Sequence, residues 1–277
     1  LSVNLVSHQD NKNRDIAVGQ YHCWSCDAKG GWNQLAEHEG LAKLAEVDNF
    51  QVTGKAVVEK AQYTVPAGLR DLNNFTWTKK GITITNATLE AVDAKHIRHR
   101  FRTDSGFVRR KMLWLPAHEH GEVVGHVLAD IRGDGPVPYL NSPGAWVLEH
   151  FLGYDEAVEL SRKWEDRGYR RFCCVVEGPR DWLVMYQNNI PAVACLGSNS
   201  WSRAKANALA MGFDMVFAVG DGDLAGRKLN KAVIADLADA LPVRRIKLPD
   251  EEDPASLDHA GYKSLHSILK KHAVVKN

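Results

Sequence analysis

The C-terminal half of this chain alternates apolar, strand-like runs with helical segments, and this alternation constrains the fold more than any other feature. Three apolar runs, FCCVVE, PAVACLG and FDMVFAVG, are followed by helical segments that begin near Arg180, Ser202 and Ala225. A fourth apolar run, RRIKLP, follows closer to the end. Strands that alternate with helices of this length are typical of βαβ units and a parallel sheet. We therefore predict an α/β domain over residues 146–277.

Carboxylates follow the ends of these strands. Glu177 ends the first run, and Asp181 lies four residues later in the first turn of the next helix. Asp221 and Asp223 follow the third run, and Asp253 follows the last. Ligands of open α/β sheets bind beyond the carboxyl ends of the strands, so we expect these acids to converge on one edge of the sheet.

Clustered carboxylates repel one another and raise one another's pKa unless cations lie between them. Oxygen ligands fit Mg²⁺ or Mn²⁺ better than zinc. Taken one at a time, each acid is explained equally well as a turn or helix-cap residue. The combination, with GDGD between an apolar strand and AGRK, favours a divalent-metal site.

A basic stretch lies in the middle of the chain, from Lys95 to Lys111. It holds seven Lys or Arg residues against one acid, Asp104, and is interleaved with Phe101 and Phe107. The formal net charge is only +1, so any footprint for nucleic acid must be local. Charge for phosphates and rings for bases suit a single-stranded track, although such a run alone is more often a solvated strand face. The candidate contacts are Arg98, Arg100, Arg102, Arg109, Arg110 and Lys111. Around them, residues 66–145 read as short apolar segments broken by Gly and Pro.

Cys23 and Cys26 have the spacing of metal ligands, but one CxxC is half of a tetrahedral site. A redox role or no role stays open, although a thioredoxin-like role would need a βαβ frame that this stretch lacks. Cys173, Cys174 and Cys195 lie in apolar strands and are expected in the core. This cysteine usage fits a reducing cytosol. No apolar run approaches the ~18 residues that span a bilayer. The sequence also has no P-loop motif.

Several segments resemble one family. VVEGPRDWL resembles the Glu-Gly-x-x-Asp motif of the Toprim domain, and AVGDGDLAGRK resembles its Asp-x-Asp motif, with a trailing Ala-Gly-Arg-Lys typical of the primase branch. LPDEEDPASL resembles the primase segment that supplies further acids. GEVVGHVLADIRG and VPYLNSPGAWVLEHFLG resemble the N-terminal part of the primase polymerase domain. LSVNL with HCWSCDAKGGWNQLAEHEGL resembles the second half of the primase zinc-binding domain.

The resemblance to bacterial and bacteriophage-type DNA primases implies a metal-dependent polymerase that makes short RNA primers on single-stranded DNA from ribonucleoside triphosphates. Glu177 would be the general acid or base and, with Asp221 and Asp223, a catalytic residue. The acids that hold Mg²⁺ or Mn²⁺ would be Glu177, Asp181, Asp221, Asp223 and Asp253. Nucleotide or template contacts would extend to Arg132, Tyr139, Asn141, Arg227 and Lys228. Cys23 and Cys26 would be two of four Zn²⁺ ligands, with the first pair expected before Leu1.

The same resemblance implies an order of parts and a setting. Residues 1–45 would be part of a zinc ribbon, 46–65 a linker, 66–145 a basic α+β subdomain, and 146–277 the Toprim subdomain. A replicative helicase would act from another chain or from a C-terminal region, in a bacterial cytoplasm or a phage-infected host.

Two positions depart from the family pattern. Ala255 stands where the family often has another aspartate, and Pro138 stands where it has a lysine. We expect Arg132, Arg109 or Arg110 to supply the missing cation. These departures leave open a non-catalytic module that binds single-stranded DNA. A Toprim-type nuclease also stays open, because it would use the same acids to cut DNA.

Overall fold

The computed structural model describes residues 63–79, 81–103 and 106–275, together with short strands within residues 2–31. The chain divides into two compact units, Leu1–Lys60 and Ala61–Asn277. In the first unit, β1, β4 and β5 form one antiparallel sheet and β2 pairs with β3. Their bounds are Ser2–Val3 (β1), His8–Gln9 (β2), Asp15–Ile16 (β3), Gln20–His22 (β4) and Lys29–Gly31 (β5). Cys23, Cys26 and the helical stretch predicted up to Ala45 lie outside the described residues, so the zinc ribbon stays a prediction.

The second unit begins with a small hairpin and one helix ahead of a four-stranded antiparallel sheet. The strand order is β11-β10-β9-β8. The elements are β6 (Trp77–Lys79), β7 (Ile82–Ile84), α1 (Asn86–Ala91), β8 (Lys95–Thr103), β9 (Gly106–Glu119), β10 (Glu122–Asp130) and β11 (Tyr139–Asn141). The side chain of Thr85 accepts a hydrogen bond from the backbone N–H of Thr88 and so caps α1.

The expectation of short broken segments between residues 66 and 145 is wrong, because β9 alone spans 14 residues. Pro116 lies inside this strand without interrupting it. At that point β9 pairs with β10 through His126, while the pairing with β8 has already ended at Trp114. The missing N–H of the proline is tolerated because β9 has a neighbour on one side only.

Alternation along these strands gives the sheet two buried faces. Leu113 and Leu115 belong to a core that they share with the C-terminal part of the unit. On the opposite face, Phe101, Met112 and Trp114 form a separate, smaller cluster. Consecutive residues of β9 therefore point into different cores.

The C-terminal part is an α/β layer with a parallel sheet of order β13-β12-β14-β15, and this confirms the predicted fold class for the region. The strands are β12 (Phe172–Val176), β13 (Ala192–Ala194), β14 (Met215–Ala218) and β15 (Val243–Arg245). The helices are α2 (Trp146–Glu149), α3 (Tyr154–Glu165), α4 (Pro179–Gln187), α5 (Arg203–Gly212), α6 (Leu224–Leu237) and α7 (His259–Ala273). The predicted strand RRIKLP is shorter than expected and ends at Arg245.

Both faces of the parallel sheet are covered. In β12, Phe172 and Cys174 point into the core shared with the antiparallel sheet, whereas Cys173 and Val175 point to the side of α5 and α6. Cys173, Cys174 and Cys195 are buried free thiols, as predicted. Within residues 63–275, no helix combines the length and apolarity that crossing a membrane requires.

Candidate active site

Four of the five predicted acids line one cleft of about 420 Å³. Glu177 follows β12 and Asp221 follows β14, which are neighbouring parallel strands. Asp181 comes from α4, and Asp253 comes from the turn after β15. The cleft thus lies beyond the carboxyl ends of the strands, where an open α/β sheet places its ligands.

The backbone at Glu177 is held by the neighbouring turn. Its carbonyl oxygen accepts hydrogen bonds from the N–H groups of Leu196, at 2.9 Å, and Gly197, at 3.2 Å. Both of these residues also line the cleft. The position of Glu177 therefore depends on the turn that follows β13.

Glycines allow the GDGD turn to fold tightly around Asp221. A Cβ at Gly226 would lie 2.2 Å from the backbone N of Asp221, and a Cβ at Gly222 would lie 2.0 Å from the carbonyl oxygen of Pro249. The N–H of Gly222 also donates to the carbonyl of Glu252 at 2.7 Å. Close backbone contacts, which larger residues would block, thus set the direction of Asp221.

Asp181 is buried in the first turn of α4, with 7% of its surface exposed. Its carboxylate accepts hydrogen bonds from the N–H groups of Gly178, at 3.1 Å, and Ala255, at 3.2 Å. Ala255 is fully buried. The position where the family often carries another acid is therefore packed here, and its backbone serves Asp181.

Asp223 occupies a different place from the other four acids. Its side chain caps α6 by accepting a hydrogen bond from the N–H of Gly226 at 2.8 Å. It is not among the residues that line the cleft, so its predicted part in the metal site stays a prediction. Its hydrogen bond is that of a helix cap, although its charge still raises the pKa of Glu177.

Burial and mutual repulsion raise the pKa values of the cleft acids. Burial, followed by the charges of Asp181 and the other acids, raises the pKa of Asp221 to about 8. Burial and then Asp253 raise the pKa of Asp181 to about 7. The pKa of Glu177 is also raised, first by burial and then by the charge of Asp223. The cleft is therefore poised to bind positive charge.

Three carboxylate oxygens of the cleft are free to bind cations. Oε2 of Glu177, Oδ1 of Asp221 and Oδ1 of Asp253 are buried without a hydrogen-bond partner. Among residues 63–79, 81–103 and 106–275, no three His, Cys, Asp or Glu side chains already lie close enough together to hold an ion. Mg²⁺ is usually bound by one or two carboxylates, water and substrate phosphate, so this donor set still fits it.

A second functional surface lies on β8 and β9, and we call it the basic stripe. Arg98, Arg100 and Arg102 alternate along β8 and point to one face of the sheet. The strand register places Lys111, Arg109 and Phe107 opposite them. All of these side chains are exposed, and the guanidinium of Arg100 lies 3.6 Å from the ring centroid of Phe107.

Two other predicted members of the track lie elsewhere. Phe101 points to the opposite face and is buried in the smaller core, so it is not available to stack on a base. The residue opposite His99, Arg110, is half-buried on that same face and forms an ion pair with Asp134 at 2.5 Å. The stripe is therefore narrower than the run of charges in the sequence.

Comparison with known families identifies the α/β part. The Toprim-like family matches residues 174–257, which include all five acids. This part of the chain is a Toprim-like domain. Toprim domains of primases generally depend on metal ions.

Curated relatives of the chain are bacterial DNA primases. The DNA primase of Aquifex aeolicus is 30% identical over 152 residues, which are 53% of this chain and 29% of that protein. The DNA primase of Pseudomonas aeruginosa is 33% identical over 138 residues, 47% of this chain and 20% of that protein. The chain thus matches less than a third of the length of either relative.

Solved structures of primases share the fold. A structure of the zinc-binding and RNA polymerase domains of the Aquifex aeolicus primase has a TM-score of 0.55 at 23% identity, covering 68% of this chain and 53% of that one. The DnaG catalytic core has a TM-score of 0.54 at 20% identity, covering 69% and 70%. The DnaG catalytic domain bound to single-stranded DNA has a TM-score of 0.53 at 21% identity, covering 68% of each chain. The resemblance to Toprim primases of this type is confirmed.

Successive side chains of β11 point alternately to the acid cleft and to the smaller core. Tyr139 and Asn141 line the acid cleft, while Leu140 packs in the smaller core. Burial, and then the charge of Asp181, raises the pKa of Tyr139, so its hydroxyl stays protonated. The YLNSP motif therefore contributes one wall of the cleft.

The cations that line the acid cleft, among the described residues, are Lys79 and Arg180, and neither was predicted from the sequence. The guanidinium of Arg180 donates to the carbonyl oxygen of Lys79 at 2.7 Å. Arg180 lies inside the EGPRD motif, so its place in the cleft could have been predicted from the sequence. Lys79 comes from β6, where no motif indicates a functional residue. We expected Arg132, Arg109 or Arg110 to replace the lysine missing at position 138. These three residues line a separate cleft of about 470 Å³, and their role stays a prediction.

Arg227 and Lys228 lie on α6 outside the acid cleft. Arg227 is 3.4 Å from the carboxylate of Asp250, and Lys228 donates to the side chain of Asn199 at 2.9 Å. Both side chains are exposed. Their role as nucleotide contacts stays a prediction.

Proposed function

We propose that this chain is the catalytic part of a DNA primase, which joins ribonucleotides into short RNA primers on a single-stranded DNA template. The observation that carries the proposal is the acid cleft, where Glu177, Asp221 and Asp253 each leave a buried oxygen without a partner. The curated relatives named DNA primase support the same activity.

In the proposed reaction, the 3′-hydroxyl of one ribonucleotide attacks the α-phosphate of a nucleoside triphosphate, and pyrophosphate leaves. Glu177, Asp181, Asp221 and Asp253 would hold Mg²⁺ or Mn²⁺, with Asp223 contributing charge from the start of α6. The bound ions would supply charge neutralisation for the triphosphate and the developing oxyanions. The raised pKa of Glu177 suits it to take up the proton of the attacking hydroxyl.

Lys79 and Arg180, which line the same cleft as the acids, would attract the triphosphate. Arg180 is only 7% exposed, so its charge acts in a medium that screens it weakly. Tyr139 and Asn141 offer a hydroxyl and an amide to the sugar or base. Positioning and charge neutralisation are the main requirements of phosphoryl transfer, and these groups can supply both.

The basic stripe is proposed to hold the template. Its register places Arg98 opposite Lys111 and Arg100 opposite Arg109. Like charges directly opposite each other destabilise a sheet, and a bound polyanion would relieve that repulsion. Phe107, which is 60% exposed, would offer a ring to a base. The DnaG catalytic domain solved with single-stranded DNA makes the same kind of ligand reasonable here.

The test combines the protein with Mg²⁺ or Mn²⁺, single-stranded DNA and labelled ribonucleoside triphosphates. A primase lengthens RNA, and a Toprim-type nuclease shortens the DNA instead. Asp221→Asn should abolish RNA synthesis, while Asp239→Asn, an exposed acid beyond the end of α6, should not. If the wild type binds DNA without producing RNA or cutting DNA, the non-catalytic module is the correct interpretation.

The zinc site and the helicase belong to the same proposal. Cys23 and Cys26 would bind Zn²⁺ together with a second ligand pair, and a replicative helicase would act from another chain or region. Metal analysis of the wild type and of Cys23→Ser tests the zinc site, because loss of one ligand should remove the zinc.

A further inference from the structure

We propose that a second cleft, between residues 67–75 and strand β8, is a subsite for one nucleotide unit, with the phosphate at its cationic rim and the base against its aromatic floor. The cleft has a volume of about 720 Å³. It lies apart from the acid cleft, and its role on a template strand rests on the proposed function.

The wall of this cleft is held in place by the sheet. The N–H of Arg70 donates to the carbonyl of His96 at 2.9 Å, and the N–H of His96 donates back at 2.7 Å. Leu72 and Trp77 are buried in the main core on the two sides of the segment's tip. Between them, Asn73 and Asn74 take left-handed backbone conformations with φ of 51° and 60°. The segment is therefore a shaped wall anchored at both ends.

The rim of the cleft carries positive charge that continues the basic stripe. Arg98 and Lys111 line this cleft and also the neighbouring cleft with Arg109 and Arg132. Arg70 adds a third exposed cation. The acid at the rim, Asp71, has Lys95 at 3.8 Å. A phosphate backbone that follows the stripe away from its hairpin end would thus reach this rim.

The floor offers a ring surface. The rings of Phe75 and His96 meet edge to face with centroids 4.7 Å apart, and the ammonium of Lys111 lies 5.9 Å from the centroid of Phe75. His96 is only 5% exposed, so the half-buried ring of Phe75 provides the accessible aromatic surface of the floor. Burial, and then the charge of Lys111, lowers the pKa of His96, so the ring is neutral at pH 7.

Cationic groups beside a neutral aromatic floor match a ligand that is anionic at one end and planar and aromatic at the other. The exposed amides of Asn73 and Asn74 can hydrogen-bond the edge of such a ring. Nucleotides have this chemistry, either as units of a strand or free in solution. A bare phosphate would leave the floor unused, and a purely apolar ligand would leave the cations unused.

The test measures binding of two labelled oligothymidylates, one intact and one with abasic sites, by fluorescence anisotropy. Phe75→Leu keeps an apolar contact with His96 but removes the ring, and it should weaken binding of the intact strand at least fivefold, because stacking on one ring typically contributes ~1–3 kcal/mol. The variant should bind the abasic strand as the wild type does. Thr76→Ala, an exposed neighbour outside the cleft, serves as the matched control and should change neither affinity.

The source of the nucleotide is decided by adding thymidine monophosphate as a competitor. If Phe75→Leu weakens binding of the strand, the subsite belongs to a bound strand. If Phe75→Leu weakens only binding of the monophosphate, the subsite belongs to a free nucleotide. If Phe75→Leu binds both ligands as the wild type does, or loses equally on intact and abasic strands, the proposal is overturned.

A second variant tests the subsite independently, in case Phe75→Leu does not fold. Asn74→Gly fits the positive φ at that position and removes one amide without touching the core, so it should weaken only the base-dependent part of binding. Primer synthesis is measured separately. Base-dependent binding without RNA synthesis would support the subsite and overturn the proposed activity. RNA synthesis without base-dependent binding would support the proposed activity and overturn the subsite.

Discussion

The backbone N–H of Ala255 donates a hydrogen bond to the carboxylate of Asp181 at 3.2 Å. This bond joins the first turn of α4 to the turn that carries Asp253, so it links two walls of the acid cleft. Ala255 is itself fully buried. A second carboxylate there would be buried beside Asp181, whose own pKa is already raised to about 7.

Replacing Asp181 should reveal the strength of this link. Asp181→Ala leaves the N–H groups of Gly178 and Ala255 without their acceptor, and each unsatisfied buried group costs ~1–3 kcal/mol. Asp181→Asn keeps one acceptor oxygen and should lose less. Urea unfolding of both variants, with Asp239→Ala as an exposed control, measures the difference. Equal stability of Asp181→Ala and the wild type would contradict this account.

The stability of the protein should depend on pH through Asp221 and Asp181. Their folded-state pKa values, about 8 and about 7, lie above the ~3.9 of an unfolded aspartate. The folded state therefore holds more protons, and stability is highest below the unfolded pKa and falls as the pH rises through the folded pKa. Without divalent ions, the unfolding temperature should drop between pH 5 and pH 8.

Mg²⁺ should reverse that drop. At pH 8 it neutralises the ionised acids and should raise the unfolding temperature by several degrees, whereas at pH 5 the effect should be small. Asp221→Asn should flatten the pH dependence and weaken the response to Mg²⁺. Thermal unfolding in EDTA and in Mg²⁺ provides the measurement, and an identical Mg²⁺ response in wild type and variant would rule out Asp221 as the origin.

Gly226→Ala, in the first turn of α6, should displace Asp221 in the acid cleft. The added Cβ would lie 2.2 Å from the backbone of Asp221, so either the helix start or Asp221 has to move. Overpacking of this kind costs ~1–3 kcal/mol. We expect a lower unfolding temperature and loss of the Mg²⁺ response. Leu224→Ala, which shortens a side chain that is 82% exposed on the same helix, should show neither effect.

His118 and Glu156 should give a pH dependence of their own. The imidazole lies 2.9 Å from the buried carboxylate of Glu156, and this hydrogen bond raises the pKa of His118. The contribution is fully present below the ordinary histidine pKa and is lost as the pH rises through the raised value. The difference in stability between wild type and His118→Gln should therefore be larger at pH 6 than at pH 9. Glu156→Gln should remove most of that pH dependence, and a constant difference would contradict the pairing.

Residue patterns were sufficient for the α/β layer. The alternation of FCCVVE, PAVACLG and FDMVFAVG with helical segments predicted the parallel sheet, because burial on both faces requires continuous apolar strands. Glu177 and Asp221 could be placed at one edge because neighbouring parallel strands end together. The long antiparallel strands were not predicted, since Pro116 reads locally as a break and its tolerance depends on where β8 stops pairing.

The sequence by itself determined which residues carry charge and which strands end in acids, since backbone periodicity and burial act over a few neighbouring positions. Only the tertiary structure decided that Asp223 caps α6 while Asp221 lines the cleft, and that Lys79 and Arg180 accompany the acids in place of Arg132, Arg109 and Arg110. Those outcomes depend on strand register, on glycine-mediated backbone contacts and on packing between segments about a hundred residues apart. Such contacts form through space, and no local pattern encodes them.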